Sequence, residues 1–213
     1  MTKPNIELLN LDCLPFMKQC SDKKFDLAIV DPPYGIERFK NGIGKNDIHK
    51  TKTKNALWNN NTPTKEYFDE LKRISKNQII WGANYHNCFF DKGGALVWFK
   101  DVRVDNFSKA ELAYQSFTSI VDYYRYDWTN TDRYNLKVET IHPTQKPVSL
   151  YEFCLMNYAK KGDNILDTHL GSGSIALACH NLGYNLTGIE IDKEYFEKAS
   201  KRIDYHKRQL TLF

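Results

Sequence analysis

The last third of the chain constrains the fold most. Asn164 to Asp167 reads as a strand, Ser172 to Leu182 as a helix, Asn185 to Ile191 as a strand and Lys193 to Lys207 as a helix. A further helix over Val148 to Lys160 precedes them. Strand and helix in alternation define βαβ units, which close only as a parallel sheet with helices packed on its faces.

The rest of the chain extends the pattern. Ile6 to Leu9, Phe25 to Val30, Gln78 to Trp81 and Ala95 to Phe99 are apolar runs of strand length, and Leu14 to Cys20 is a helical or turn segment. In residues 64 to 76, Tyr67, Phe68, Leu71 and Ile74 share one helical face, with Thr64 placed to cap the start. Ala110 to Tyr114 and Ser119 to Tyr126, rich in aromatic and β-branched residues, predict two antiparallel strands. Two stretches, Gly35 to Pro63 and Asp101 to Lys109, carry no periodicity. The first holds Lys40, Lys45, Lys50, Lys52 and Lys54 among Asn, Gly and Thr, the composition of a solvated loop or of a basic arm that orders on nucleic acid.

A length of 213 residues suits a single domain. The net charge of +4 permits a polyanionic partner without requiring one. The five cysteines are scattered, form no C-x-x-C pair and have no zinc-ligand spacing, which fits a reducing cytoplasm and no metal. No apolar stretch approaches membrane-spanning length, so a cytoplasmic protein without a membrane partner is expected.

Three short stretches carry chemistry. At 28–35, AIVDPPYG, an apolar strand stops at an acid, two prolines and a tyrosine. Alone this is either a tight turn or a catalytic edge. At 164–174, NILDTHLGSGS, a strand ends in Asp167 and a Gly171-x-Gly173 turn opens a helix. Glu190, at the end of the next strand, follows Asp167 by 23 positions, near the offset of about 20 at which an acid meets ribose hydroxyls in nucleoside-binding βαβ units. Asp167 before the glycines suits an amine-bearing ligand better than a pyrophosphate. At 142–147, HPTQKP leads into a helix with Pro147 at its first position. Thr144, Gln145 and Lys146 then line the same ligand mouth, where Lys146 suits a carboxylate. His142 reads as structural.

Together these stretches resemble the amino-methylating DNA methyltransferases in their circularly permuted, β-type order. AIVDPPYG looks like the catalytic motif, HPTQKP like the segment at the cofactor's methionine end, and DTHLGSGS with GIEID like the glycine loop and ribose acid. IELLNLDCLPFM is similar to the family's opening, with Asp12 near the cofactor's adenine. The family commonly has phenylalanine where this chain has His169.

The resemblance implies a Rossmann-like α/β fold in one domain over 1–213, with a mostly parallel sheet and helices on both faces. A substrate loop lies near 36–63 and a small target-recognition-like insertion near 101–140. It implies S-adenosylmethionine as cofactor, held by Asp12, Cys13, Asp31, Pro32, Thr144, Gln145, Lys146, Asp167, His169, Gly171, Ser172, Gly173, Glu190, Ile191 and Asp192. Asp31, Pro32, Pro33 and Tyr34 are the implied catalytic residues, and Tyr34, Lys40, Lys45 and Asn84 the substrate contacts. The implied partner is double-stranded DNA with a flipped-out base, and a homodimer is admitted. The DPPY branch mostly methylates adenine N6, whereas the cytosine-N4 branch more often has serine at the place of Asp31. Cytosine N4, an RNA adenine, or a cofactor-binding subunit without activity are the alternatives.

Such chemistry has a physical reason to use D-P-P-Y. The lone pair of an exocyclic amine is delocalised into its ring. Two acceptors, the Asp31 carboxylate and the Pro32 carbonyl, draw the nitrogen toward tetrahedral geometry and stabilise the charge that develops on it. The prolines fix the backbone and Tyr34 offers a stacking ring.

Overall fold

The computed structural model describes residues 4–35, 62–88, 93–100, 108–128, 140–142 and 144–209. Its strands are β1 (Ile6–Leu9), β2 (Phe25–Val30), β3 (Ser75–Trp81), β4 (Ala95–Phe99), β5 (Ala110–Gln115), β6 (Val121–Arg125), β7 (Asn164–Asp167) and β8 (Asn185–Ile189). Its helices are α1 (Cys13–Gln19), α2 (Lys65–Ile74), α3 (Ala83–His86), α4 (Val148–Tyr158), α5 (Ser174–Leu182) and α6 (Lys193–Arg208).

The strands form one eight-stranded sheet in the order β1-β8-β7-β2-β3-β5-β4-β6. The pairs from β1 through β3 are all parallel, and β5 runs antiparallel between β3 and β4. This is the α/β architecture expected. The two strands predicted at 110–126 do run in opposite directions, but they are not neighbours: β4 lies between them, and β6 pairs with it in parallel.

The apolar run of β2 is continuous because both faces of the sheet are covered. Leu27 and Ile29 belong to one core with Leu150, Leu155, Ile175 and Ile203 of α4, α5 and α6. Ala28 and Val30 belong to the other, with Met17 of α1 and Phe68, Leu71 and Ile74 of α2. The Thr64 hydroxyl accepts from Tyr67 N and caps α2 as predicted. Pro147 sits one position earlier than expected, as the N-cap of α4 in an extended conformation. All five cysteines are free. Among the described residues no helix is long and apolar enough to cross a membrane.

Candidate active site

The carboxyl ends of β1, β8, β7 and β2 are neighbours, so the motifs that follow those strands meet along one edge of the sheet. Ala28 is in register with Leu166, and this sets Asp31, just past β2, beside Asp167 at the end of β7. The chain leaves these two adjacent strands for opposite faces of the sheet, the crevice where open α/β sheets take their ligands.

On the β7 side lies a buried carboxylate. Asp167 is 1 % exposed, accepts from the backbone N–H of His169 at 2.9 Å, and has no ion-pair partner among the described residues. Burial raises its pKa to about 8. Glu190, at the end of β8, accepts from Gly171 N at 2.8 Å and from Asp192 N at 2.9 Å. Burial pushes it upward as well. Its carboxylate therefore shapes the glycine loop.

The two glycines have different reasons to be glycine. Gly171 (φ 51°) lies under the His142 ring, which would stand 3.7 Å from an added Cβ. His142 packs in turn on Tyr195, 4.5 Å between centroids, so its ring covers the loop, in keeping with a structural role for His142. Gly173 (φ 72°) is the N-cap of α5, and its added Cβ would meet Ile203 at 3.1 Å and Ala199 at 3.3 Å. Its bareness serves helix packing, where the sequence had suggested room for a ligand. Ser172 is buried, with its carbonyl held by Arg202 at 2.9 Å.

On the β2 side lies a dense polar cluster. Tyr34 donates its hydroxyl to Asp31 Oδ1 at 2.6 Å. Lys146 donates to Asp31 Oδ2, lies 3.1 Å from Glu111 Oε2, and donates to the Tyr34 oxygen at 3.2 Å. Glu111 Oε1 is paired with Lys100. Burial alone would raise Glu111, but Lys146 and Lys100 outweigh it and take the carboxyl down to about 2. Burial pulls Lys146 down, and Asp31 and Glu111 more than reverse this, holding it above its ordinary value.

The Tyr34 ring is cradled by the turn after β3. It stacks on Tyr85 with 4.9 Å between centroids and 14° between planes, and His86 meets it edge-on at 5.7 Å. Gly82 (φ 72°) makes the approach possible, since an added Cβ would stand 2.2 Å from Tyr34 Cε1.

Asp31, Tyr34, Lys146, Asp167, His169, Gly171 and Glu190 thus come together along one edge of the sheet. Other expectations shift. Lys146, expected to meet a ligand carboxylate, is committed to protein carboxylates. Gln145 is buried in its own loop, where its side chain accepts from Ile141 N at 3.2 Å and its carbonyl from Trp128 Nε1 at 3.0 Å. Asp12 caps α1 through Leu14 N, and Asp192 caps α6 through Glu194 N and Tyr195 N. Ile191 is exposed, Cys13 is half-buried and Thr144 is exposed, with its hydroxyl 3.1 Å from His142 Nδ1. His169 lies edge-on to Tyr67 at 5.4 Å, with its Nδ1 3.0 Å from Thr168 Oγ1. Asn84 is exposed on α3 beside the Tyr34–Tyr85 stack. Lys40 and Lys45 lie outside the described residues.

Sequence reasoning missed Glu111, Lys100 and Asn10, whose amide binds the Glu190 carbonyl at 2.7 Å. The available signal for Glu111 was a single acid inside the strand run AELAYQ.

A parallel-sheet crevice joined to a strand-end acid, two prolines and a stacked tyrosine is the arrangement of an α/β enzyme site. Residues 46–201 match the family model described as DNA methylase, covering N6 and N4 methyltransferases, and the chain belongs to that family of DNA methyltransferases. The matched stretch begins after Asp31–Gly35. Among curated relatives, the Type II methyltransferase M2.MboI of Moraxella bovis is 27 % identical over 95 % of this chain and 88 % of its own length. M2.DpnII of Streptococcus pneumoniae is 24 % identical over 96 % and 93 %. Among solved structures, an M1.HpyAVI–SAM complex shares the fold with TM-score 0.62 and 22 % identity, covering 92 % of this chain and 99 % of that one. The cytosine-N4-specific PvuII DNA methyltransferase shares it with TM-score 0.64 and 11 % identity, covering 100 % and 89 %.

Proposed function

We propose that the protein methylates the exocyclic N6 amine of an adenine flipped out of double-stranded DNA, with S-adenosylmethionine as donor. The observation that carries this reading is the adjacency of two carboxylates with different surroundings. Asp31 is bound by the Lys146 ammonium and the Tyr34 hydroxyl, and Asp167 is buried with no ion-pair partner among the described residues. Asp167 fits the α-ammonium of the donor, and Glu190 fits its ribose hydroxyls. Asp12 and Cys13, at the end of β1, are left for its adenine side. The donor supplies a methyl group on a positively charged sulfur.

The chain's own residues do the rest. Asp31 and the Pro32 carbonyl each accept one hydrogen of the amine, which directs its lone pair toward the methyl group. Asp31 stabilises the positive charge that grows on nitrogen. The Tyr34 ring, backed by Tyr85, gives the extruded base a surface to stack on, and this offsets part of a flipping cost of a few kcal/mol. Lys40 and Lys45, with the 36–63 and 101–140 segments, are the proposed DNA-facing parts. The protein is incubated with isotopically labelled donor and adenine-unmethylated genomic DNA, and the digested nucleosides are read by mass spectrometry. Labelled N6-methyladenine is expected; N4-methylcytosine would reassign the target.

A further inference from the structure

Glu111 has no place in the family motifs, yet it sits at the centre of the polar cluster. It is the one acid on β5, and β5 reaches the site only because it pairs with β3, Ala113 against Trp81. Its side chain is 20 % exposed and uses both oxygens. Oε1 takes Lys100. Oε2 takes Lys146 at 3.1 Å and lies 3.4 Å from the Tyr34 hydroxyl. Lys100, Glu111, Lys146 and Asp31 therefore form a chain of alternating charge from β4 to the strand end of β2.

We propose that Glu111 is a positioning residue for methyl transfer: anchored by Lys100, it holds the Lys146 ammonium on Oδ2 of Asp31 and leaves Oδ1 as the oxygen that meets the amine. This rests on Asp31 being the amine acceptor. A lysine stem has many rotamers, and one acceptor does not fix it. Here Asp31, Glu111 and Tyr34 converge on the ammonium of a side chain that is 3 % exposed. Pinning Oδ2 sets the plane of the Asp31 carboxylate. Glu111 also frees Oδ1. In the structure the Tyr34 hydroxyl donates to that oxygen, and an incoming amine must displace it. Glu111 Oε2 is the second acceptor within reach, so the hydroxyl can turn to it without losing a hydrogen bond. Without Glu111 the hydroxyl competes with the amine for Asp31.

The test compares Glu111→Gln, Lys100→Gln and Asp31→Ala with the wild type. Single-turnover methylation of adenine-unmethylated DNA is measured across pH, and donor affinity by calorimetry. Glu111→Gln keeps donor affinity and lowers the methylation rate by about 10- to 100-fold, the scale of a small misplacement of a reacting group. Lys100→Gln gives a smaller loss in the same direction and carries the test if Glu111→Gln does not fold.

The alkaline limb of the rate profile moves to lower pH in Glu111→Gln, because burial then acts on a Lys146 with one carboxylate fewer. A purely structural role would not move that limb. The other titratable groups nearby are Asp167, His142, Tyr34 and Tyr151. Glu111 also holds Tyr34 and Tyr151 up, so Tyr34→Phe and Tyr151→Phe in the Glu111→Gln background must leave the shifted limb in place for it to report Lys146. Wild-type rates and an unmoved limb in the glutamine variants, with Asp31→Ala inactive, would overturn the role of Glu111 alone. An active Asp31→Ala would instead overturn the reading on which it rests.

Discussion

Lys146 donates to the carboxylate of Asp31 across 115 positions of sequence, joining the segment before α4 to the end of β2. The bond couples two motifs that separately suggest a cofactor contact and a catalytic acid. On the proposed reading, in which Asp31 accepts from the amine, it also makes Lys146 part of that acceptor site.

Lys146→Gln is therefore expected to cost more in rate and stability than in donor binding. The substitution leaves Asp31 and Glu111 facing each other without the ammonium between them. Breaking a buried pair of this kind costs on the order of 3–5 kcal/mol. Urea unfolding should show a lower midpoint at unchanged slope, and calorimetry should show the donor still bound.

Asp167 predicts a proton balance for donor binding. With its pKa raised to about 8 by burial, it is mostly protonated in the free protein at pH 7. A bound ammonium favours the carboxylate, so binding at pH 7 releases a proton. Calorimetry in buffers of different ionisation enthalpy measures that release, and Asp167→Asn abolishes it. The same shift has a sign for stability. A carboxyl raised in the folded state contributes stability below its unfolded value near 4, and the contribution is lost as pH rises toward about 8. The ligand-free protein should lose that increment over this window, and Asp167→Asn should not.

Gly82→Ala tests the cradle of Tyr34. The backbone there is left-handed (φ 72°), and the new methyl would stand 2.2 Å from the ring. A non-glycine residue in that region costs on the order of 1–3 kcal/mol, and the ring must move. Methylation should fall steeply while donor affinity stays near that of the wild type, since Gly82 touches the Tyr34 side of the site. Parallel loss of both would place the ring elsewhere in the mechanism.

Much of this was legible in the sequence for identifiable reasons. Strands buried on both faces appear as short apolar runs, so β2, β4 and β7 could be read directly. Thr64 announced the start of α2 by its chemistry. The motif acids Asp31, Asp167 and Glu190 stand at strand ends, where a parallel sheet must bring them to one edge. What stayed hidden depends on pairing between distant segments. The insertion of β4 between β5 and β6 leaves no local signature. Glu111 enters the site only through the register of β5 on β3. Lys146 is expected at the ligand mouth from its own motif, but its partners lie on β5 and just past β2, and its own neighbours in sequence do not reveal them. The bareness of Gly173 answers to Ile203 and Ala199 on α6, which a reading of the loop alone assigns to a ligand.

The most direct test of the central claim is methyl transfer by Asp31→Ala, measured with labelled donor and adenine-unmethylated DNA beside the wild type. The account predicts labelled N6-methyladenine from the wild type and none from the variant, with the donor still bound by the variant in calorimetry. Methylation at the wild-type rate by Asp31→Ala would contradict it.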